Sequence, residues 1–224
     1  LREKSIAVCG DPEARHGIVL TASYPAKRMG VKTAMPIWEA KQHCRDLIVV
    51  PASYGKYQKY SGYVREIFRD YTDQVESFGL DEAWLDITGS LGLFGDPVKI
   101  AKEISDRIKR ELGITVSIGV SFNKITAKLG SDYKKPDAIT VIEPDNYKQI
   151  VYPLPVGDLL YVGNATQRKL GSYGIRTIGQ LAETNPEVLK GWFGVMGYTL
   201  SAFARGLDQT PVAKQDAHSA IKSV

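Results

Sequence analysis

The stretch "ESFGLDEAWLDITG", residues 76–89, decides the fold because it combines strand-forming residues with acidic ones. Its aromatic and branched residues, interrupted by a glycine, predict a β-hairpin. The acids Asp81, Glu82 and Asp86 lie inside this apolar run. An ionised carboxylate in apolar surroundings is destabilising unless it is paired with a cation or binds a metal. The pattern therefore indicates either a metal-binding hairpin or a plainer alternative, a bend at which Asp81 and Glu82 turn toward solvent.

Helices and strands alternate on both sides of this hairpin. Apolar positions at helical spacing predict a helix from Tyr54 to about Val75, and "PVKIAKEISDRIKREL" predicts another over 97–112 that ends at Gly113. The next predicted elements are a strand in "TVSIGVS", a helix in "NKITAKLGSDY" and a strand in "AITVI". This order is a split βαβ pattern, which predicts an α+β sheet with helices on one face.

The two flanking regions differ from this centre. Residues 1–53 combine short strands with a helix after Pro36, whose position suits a first helical turn. From residue 143 onward the chain is helical and punctuated by glycines, which predicts two helical hairpins. Their turns are predicted at Gly163-Asn164 and near Gly194 and Gly197. Such hairpins are either helix-hairpin-helix units, whose turn amides bind a DNA phosphate, or a small helical bundle capped by glycines.

Composition limits the class of protein. Of 224 residues, 43% are hydrophobic and 24% are charged, which is typical of a globular protein and argues against disorder. No apolar run approaches the ~18 residues that a membrane span requires, and two cysteines do not make a disulfide framework. We therefore expect a cytoplasmic protein with no membrane partner. The net charge of +4 permits nucleic-acid binding without demanding it.

Four blocks of this sequence resemble a known family. "SFGLDEAWLDIT" and "TVSIGVSFNKITAKLGSDYKKPDAITVI" are similar to the palm of Y-family translesion DNA polymerases of the bacterial DNA polymerase IV type. "GIVLTASYPAKRMGVKTAMPIWEAK" resembles the fingers of that family, and "ARGLDQTPV" resembles the end of its thumb. The resemblance implies fingers at 1–53, a palm at 54–142 with a ferredoxin-like sheet, and a helix-hairpin-helix thumb at 143–217. Residues 218–224 would begin a linker to a little-finger domain outside the chain.

The same resemblance implies a set of site residues. Two Mg²⁺ ions would bind at Asp81 and Glu82, and a deoxynucleoside triphosphate (dNTP) would be the substrate. The residues that would hold its phosphates are Thr21, Tyr24, Lys27 and Lys135. Hydroxyl and phenol groups donate to phosphate oxygens, and cations neutralise their charge. Ile18 and Ala34 would either lie over the nascent base pair or take part in ordinary packing.

The resemblance also implies macromolecular partners. Primer-template DNA would be gripped at turns of the thumb, through Gly163, Asn164, Gly194 and Gly197. A sliding clamp would bind through a region outside the chain. We therefore expect template-directed, error-prone DNA synthesis across damaged DNA, in a nucleoid-associated bacterial protein.

Some features depart from the family pattern. Lys27 stands where the family has arginine, which removes a planar bidentate donor. Gly79-Leu80 replace a usual Ser-Ile pair, and "LLYVGN" replaces a Pro-Gly-x-Gly turn. The family's third carboxylate and its steric gate are expected ahead of Leu1, and Asp86 is expected to pair or cap structurally. We therefore expect this chain alone to have little or no activity.

Two other functions remain open at this point. The same palm topology carries nucleotidyl cyclases, although a helix-hairpin-helix thumb would have no use in such an enzyme. A non-catalytic DNA-binding relative is the second alternative, with Lys27 and the altered "LLYVGN" turn as signs of lost catalysis.

Overall fold

The structure, a computed structural model, describes residues 3–10 and 17–213. The chain divides into two compact units, Leu1–Lys59 and Tyr60–Val224. The boundary falls inside one helix, α3 (Tyr54–Arg69). The helix begins at the predicted residue, but the predicted end is wrong, because the helix ends at Arg69 and Val75 already begins a strand. The predicted linker at 218–224 lies outside the described residues. No helix in the described part of the chain is both long enough and apolar enough to cross a membrane.

The first unit contains a mixed three-stranded sheet. Its elements are β1 (Ile6–Cys9), β2 (Val19–Ala22), α1 (Tyr24–Arg28), α2 (Ile37–His43) and β3 (Ile48–Pro51). Strand β1 lies at the centre, antiparallel to β2 and parallel to β3. The core of the unit is built from small apolar residues, including Ala7, Val19 and Ala40, which are fully buried. Helix α2 follows Pro36 as predicted, whereas α1 was not predicted.

The second unit contains the predicted hairpin and a parallel pair of strands. The hairpin is formed by β4 (Val75–Phe78) and β5 (Glu82–Leu85), and the parallel pair by β6 (Ile118–Ser121) and β7 (Ile139–Ile142). The α+β prediction is confirmed, but these strands form two separate two-stranded sheets. The two sheets are connected through α6 (Lys124–Tyr133), because the indole N–H of Trp84 on β5 donates to the Lys124 carbonyl oxygen over 2.9 Å.

Two helices cover the hairpin side of this unit. Helix α5 (Pro97–Leu112) has the predicted bounds, follows the short α4 (Leu91–Phe94), and packs with α3 around a buried cluster. The members of the cluster are Ile67, Tyr71, Ile100, Ile104 and Ile108. The Asp96 side chain caps the N-terminus of α5 by accepting from the amides of Val98 and Lys99. These contacts hold α3 in place behind the acidic hairpin.

Residues 147–204 of the second unit are mostly helical. The helices of this region are α7 (Tyr147–Val151), α8 (Asn164–Ser172), α9 (Ile178–Glu183), α10 (Pro186–Phe193) and α11 (Val195–Ala204). The predicted first helix of the first hairpin is wrong, because a 3-10 turn at Val156–Asp158 and irregular backbone precede α8. Buried Leu159 and Val162 explain the misleading apolar pattern, since they fill the core from a turn.

One hydrophobic core joins this helical region to α6 and β7. Its members include Ile125, Leu129 and Ile142 from the α6–β7 side and Leu170, Leu181, Leu189 and Leu200 from the helices.

At two glycines of this unit, the backbone of one element approaches another element closely. A Cβ added at Gly119 of β6 would lie 1.9 Å from the Ala127 carbonyl oxygen, and one at Gly197 would lie 2.2 Å from that of Leu189. Glycine is therefore required at both positions by packing.

Candidate active site

The acidic pair lies at the start of β5. Asp81 is the last residue of the hairpin turn and is exposed, and Glu82 is the first residue of β5 and is half-buried. Glu82 faces Phe78 across the hairpin in antiparallel register. The turn between them is tight, and Gly79 adopts a φ of +76°, which a side chain would disfavour. The turn thus places two carboxylates side by side at the edge of the unit.

Glu82 is the first member of a chain of alternating charges. Its Oε1 lies 2.8 Å from the Lys128 ammonium, which also lies 2.8 Å from Asp132, and Asp132 in turn lies 2.6 Å from the Lys135 ammonium. Lys128 and Asp132 are one turn apart on α6. The chain connects a predicted metal ligand to the predicted phosphate-binding Lys135. Lys128 and Asp132, the two residues between them, were not predicted.

The ionisation of this chain follows from its contacts. Burial disfavours the charged Lys128, but hydrogen bonds to Asp132 and Glu82 outweigh it and raise the pKa of Lys128. Burial likewise opposes ionisation of Asp132, and its bonds to Lys128 and Lys135 reverse the effect and lower the pKa of Asp132. Both groups therefore carry their charges at neutral pH.

A second ion pair lies on the neighbouring strand. The Lys124 ammonium contacts both carboxylate oxygens of Glu76 on β4, at 2.7 and 2.6 Å, and lies 4.6 Å from the centre of the Trp84 ring. Glu76 also accepts from the backbone amide of Ala213 over 2.8 Å. The pair ties β4 to α6 and to the chain beyond α11. It therefore has a structural role next to the site.

Three predicted triphosphate residues belong to the first unit. Thr21 lies on β2, Tyr24 begins α1, and the Lys27 ammonium lies 5.2 Å from the centre of the Tyr24 ring. The structure thus brings Tyr24 and Lys27 together on one short helix, whereas Lys135 belongs to the second unit. Ile18 is partly exposed and Ala34 has a φ of +67°.

The predicted DNA-binding glycines occupy different environments. Gly163 precedes α8 and is exposed, and Asn164 begins that helix. Gly194 forms the junction of α10 and α11 with a φ of +62°. Gly197 instead lies inside α11, where its backbone packs against Leu189. The first three residues are therefore available to a ligand at helix N-termini, and Gly197 is occupied by packing.

The donor set of the acidic turn is limited to two carboxylates. Within residues 3–10 and 17–213, no group of three or more His, Cys, Asp or Glu side chains could hold a metal ion. Asp86 is engaged locally, because its Oδ1 accepts from the Thr88 amide over 2.9 Å, as expected for a structural cap. Mg²⁺ in phosphoryl-transfer sites binds one or two carboxylates and completes its shell with water and substrate phosphates. Asp81 and Glu82 fit a site of that kind.

Comparison with known proteins connects this geometry to a family. The family model described as "impB/mucB/samB family" matches residues 1–132, and one described as "DNA polymerase-iota, thumb domain" matches residues 157–208. DNA polymerase IV of Acetivibrio thermocellus is 55% identical over 224 residues, which are the whole of this chain and 56% of that protein. The chain therefore spans just over half the length of that relative.

Solved structures give the same result. The DinB structure from Sulfolobus solfataricus matches 95% of this chain and 63% of its own, with 29% identity and a TM-score of 0.85. The structure titled "Insertion ternary complex of Dbh DNA polymerase" matches 94% of this chain and 62% of its own, with 30% identity and a TM-score of 0.85. Family model, relatives and fold agree, and the chain belongs to the impB/mucB/samB family, the Y-family DNA polymerases.

Proposed function

We propose that this chain is the catalytic core of a DNA-directed DNA polymerase that carries out error-prone, template-directed synthesis across damaged DNA. The observation that carries the proposal is the pair Asp81 and Glu82 at a tight hairpin turn, with Lys128 beside Glu82 at 2.8 Å. Membership of the Y-family polymerases and the 55% identity to a DNA polymerase IV support it.

The acidic turn would bind two Mg²⁺ ions through Asp81 and Glu82. When bound, these ions supply an activated primer 3′-hydroxyl and a Lewis acid for the departing phosphates. The rest of the work belongs to side chains of this chain. Thr21 and Tyr24 would donate to the phosphate oxygens of the dNTP, and Lys27 and Lys135 would neutralise their charge. Lys135 is already oriented by its contact with Asp132 at 2.6 Å.

Primer-template DNA would be held by its backbone. Gly163, Asn164 and Gly194 lie at the N-termini of α8 and α11, where backbone amides favour an anionic phosphate. Gly197 would contribute indirectly, because it allows α11 to approach Leu189 and so fixes the Gly194 turn. Sequence would be read by template pairing, so these contacts need no base specificity.

The cellular context follows from the same proposal. The protein would act on chromosomal DNA in the bacterial cytoplasm, and a sliding clamp would contact a region outside residues 1–224. The 224-residue chain alone would have little or no activity, because within residues 3–10 and 17–213 no third His, Cys, Asp or Glu side chain joins Asp81 and Glu82 in a metal-binding group.

Primer extension by the full-length protein that contains this chain tests the proposal. With Mg²⁺ and dNTPs, the wild type should extend a primer across an abasic site, and Asp81→Asn should lose at least ~100-fold in rate. Asp106→Asn is the matched control, since Asp106 is exposed on α5. If the wild type binds primer-template DNA and does not extend it, the polymerase proposal is wrong and the DNA-binding relative is favoured.

A further inference from the structure

Arg65 on α3 contacts the turn that leads into the acidic pair. Its Nε donates to the Ser77 hydroxyl oxygen over 3.0 Å, and its Nη2 donates to the Gly79 carbonyl oxygen over 2.8 Å. Its Nη1 donates to the Ser61 hydroxyl oxygen over 2.6 Å, and that hydroxyl donates to the Leu80 carbonyl oxygen. One guanidinium therefore reaches the last part of β4 and, directly or through Ser61, the two residues before Asp81.

These contacts fix the backbone that carries both carboxylates. Gly79 and Leu80 connect β4 to Asp81, and Gly79 adopts a φ of +76°. Asp81 is exposed, so packing around its own side chain does little to orient it. Hydrogen bonds to two successive carbonyl oxygens restrict the rotation of both peptide groups ahead of it. The direction of the Asp81 carboxylate thus depends on the turn, and the turn is held from α3.

The chemistry of the contact requires arginine. A guanidinium presents five N–H donors in one rigid plane, and three of its nitrogens are used here on three different acceptors. A lysine ammonium is a single point charge on a flexible stem and cannot span the same acceptors. The position of Arg65 is itself fixed, because the following turns of α3 pack Ile67 into the buried cluster with α5.

We propose that Arg65 is a positioning residue for the metal-binding pair. It holds the turn at Gly79 and Leu80 so that Asp81 and Glu82 present their carboxylates together to divalent cations. This inference rests on the proposed polymerase function. Arg65 donates to Ser77, Ser61 and Gly79, so its effect is transmitted through Ser61 and the backbone of residues 77–80.

The test measures metal binding separately from catalysis. Mn²⁺ binding to the full-length protein with primer-template DNA and a non-hydrolysable dNTP analogue is followed by the loss of the free-Mn²⁺ electron paramagnetic resonance signal. Arg65→Lys should weaken Mn²⁺ binding about 10-fold, the size expected when a support of metal ligands is lost. Its extension rate should fall at low Mg²⁺ and recover substantially at high Mg²⁺, with little change in the KM for dNTP.

Three further variants make the result decisive. Arg110→Lys is the matched control, because Arg110 is exposed on α5 and should leave Mn²⁺ binding unchanged. Ser61→Ala removes the donor to Leu80 and one of the three acceptors of Arg65, but it leaves the Arg65 contacts with Ser77 and Gly79, so it should weaken binding in the same direction by a smaller factor. Asp81→Asn should weaken it most. Thermal unfolding of each variant shows whether the fold is retained, and Ser61→Ala keeps the test valid if Arg65→Lys does not fold.

The possible outcomes separate the two proposals. If Asp81→Asn loses Mn²⁺ binding while folded Arg65→Lys and Ser61→Ala bind it like the wild type, Arg65 has a purely structural role and this inference is wrong. If the wild type neither extends a primer nor shows Mn²⁺ binding that depends on Asp81, the proposed function itself fails. A loss of dNTP affinity with unchanged Mn²⁺ binding would also overturn the positioning role.

Discussion

The acidic hairpin and the second helical hairpin of the thumb are held together in opposite ways. Long polar side chains support the acidic hairpin: Arg65 spans its turn, Lys124 pairs with Glu76, and Lys128 pairs with Glu82. Close backbone packing holds the helical hairpin, where Gly197 of α11 leaves no room for a Cβ beside Leu189 of α10. Leu189 and Leu200 are fully buried there.

This difference indicates where the molecule tolerates change. Changes at the charged ends of long side chains alter local contacts without forcing packed helices or strands apart, so the acidic hairpin permits changes of function without unfolding. A backbone contact cannot accept even one methyl group without moving two helices. The first region is therefore suited to a reactive site and the second to a frame that carries it.

The largest expected effect tests the backbone contact. Gly197→Ala places a Cβ 2.2 Å from the Leu189 carbonyl oxygen, so α10 and α11 must separate. We expect the free energy of unfolding to fall by about 3 kcal/mol or more. Urea denaturation followed by circular dichroism measures this loss.

Gly191→Ala is the matched control for that experiment. Gly191 lies on α10, and a Cβ there would meet no atom within 4 Å. Because alanine favours helix over glycine, stability should rise by up to ~1 kcal/mol. Equal losses in both variants would contradict the importance of the close approach.

An intermediate effect on stability is expected at Tyr147, whose hydroxyl group connects α7 to the end of α11. Buried Tyr147 on α7 donates through its hydroxyl to the carbonyl oxygens of Phe203 and Ala204, at 3.2 and 3.0 Å. Tyr147→Phe leaves these acceptors without their donor and should cost about 1–2 kcal/mol in the free energy of unfolding. Tyr161→Phe, at an exposed position, should change it by less than ~0.5 kcal/mol.

The same tyrosine gives a pH dependence of stability. Burial, with a smaller contribution from Tyr152, raises the pKa of Tyr147 above its ordinary value of 10.0. The folded state therefore holds the phenolic proton more tightly than the unfolded state does, and this stabilisation is complete below about pH 10. It is lost as the pH rises above that value. The Tm of the wild type should fall more steeply than that of Tyr147→Phe between about pH 9 and 11, and parallel curves would disprove the linkage.

The smallest expected effect on stability lies in the polar region. Lys135 and Asp132 form an ion pair whose side chains are 49% and 43% exposed. Lys135→Ala should therefore change the free energy of unfolding by less than ~0.5 kcal/mol. Under the proposed function the same variant should raise the KM for dNTP. Lys134→Ala is the control, because Lys134 is an exposed neighbour, and it should leave the KM for dNTP unchanged. A large loss of stability in Lys135→Ala would contradict the claim that the polar region around the acidic hairpin tolerates changes that the packed helices α10 and α11 do not.

Local sequence signals predicted part of the fold well. Helix α5 has the predicted bounds because three local features indicate the same helix. Its apolar stripe runs along one face, Asp96 caps its N-terminus, and Gly113 ends it in a left-handed conformation. The acidic pair was predicted at a hairpin for a similar reason, since apolar residues flank it on both sides. Helix α9 was missed, because its six residues are too few to show a helical period.

Contacts between distant residues could not be predicted from the sequence. Lys128 is 46 residues from its partner Glu82, and Arg65 is 14 residues from Gly79. A lysine or arginine on a helix surface has the same sequence pattern whether it supports a site or faces solvent. A helix was wrongly predicted before α8, because Leu159 has the apolar character of a helix core residue. Tertiary packing buries Leu159 from a turn instead.

The core shared by α6, β7 and the thumb helices has a mechanical consequence. Ile125 and Leu129 anchor in that core the same helix whose Lys128 contacts Glu82. Tilting α8–α11 away from α6 and β7 would expose this apolar surface to water, at a cost of roughly 25 cal/mol for every Å² uncovered. Such a joint resists bending, so under the proposed function the turns at Gly163 and Gly194 would keep a fixed distance from the acidic turn while DNA moves past them.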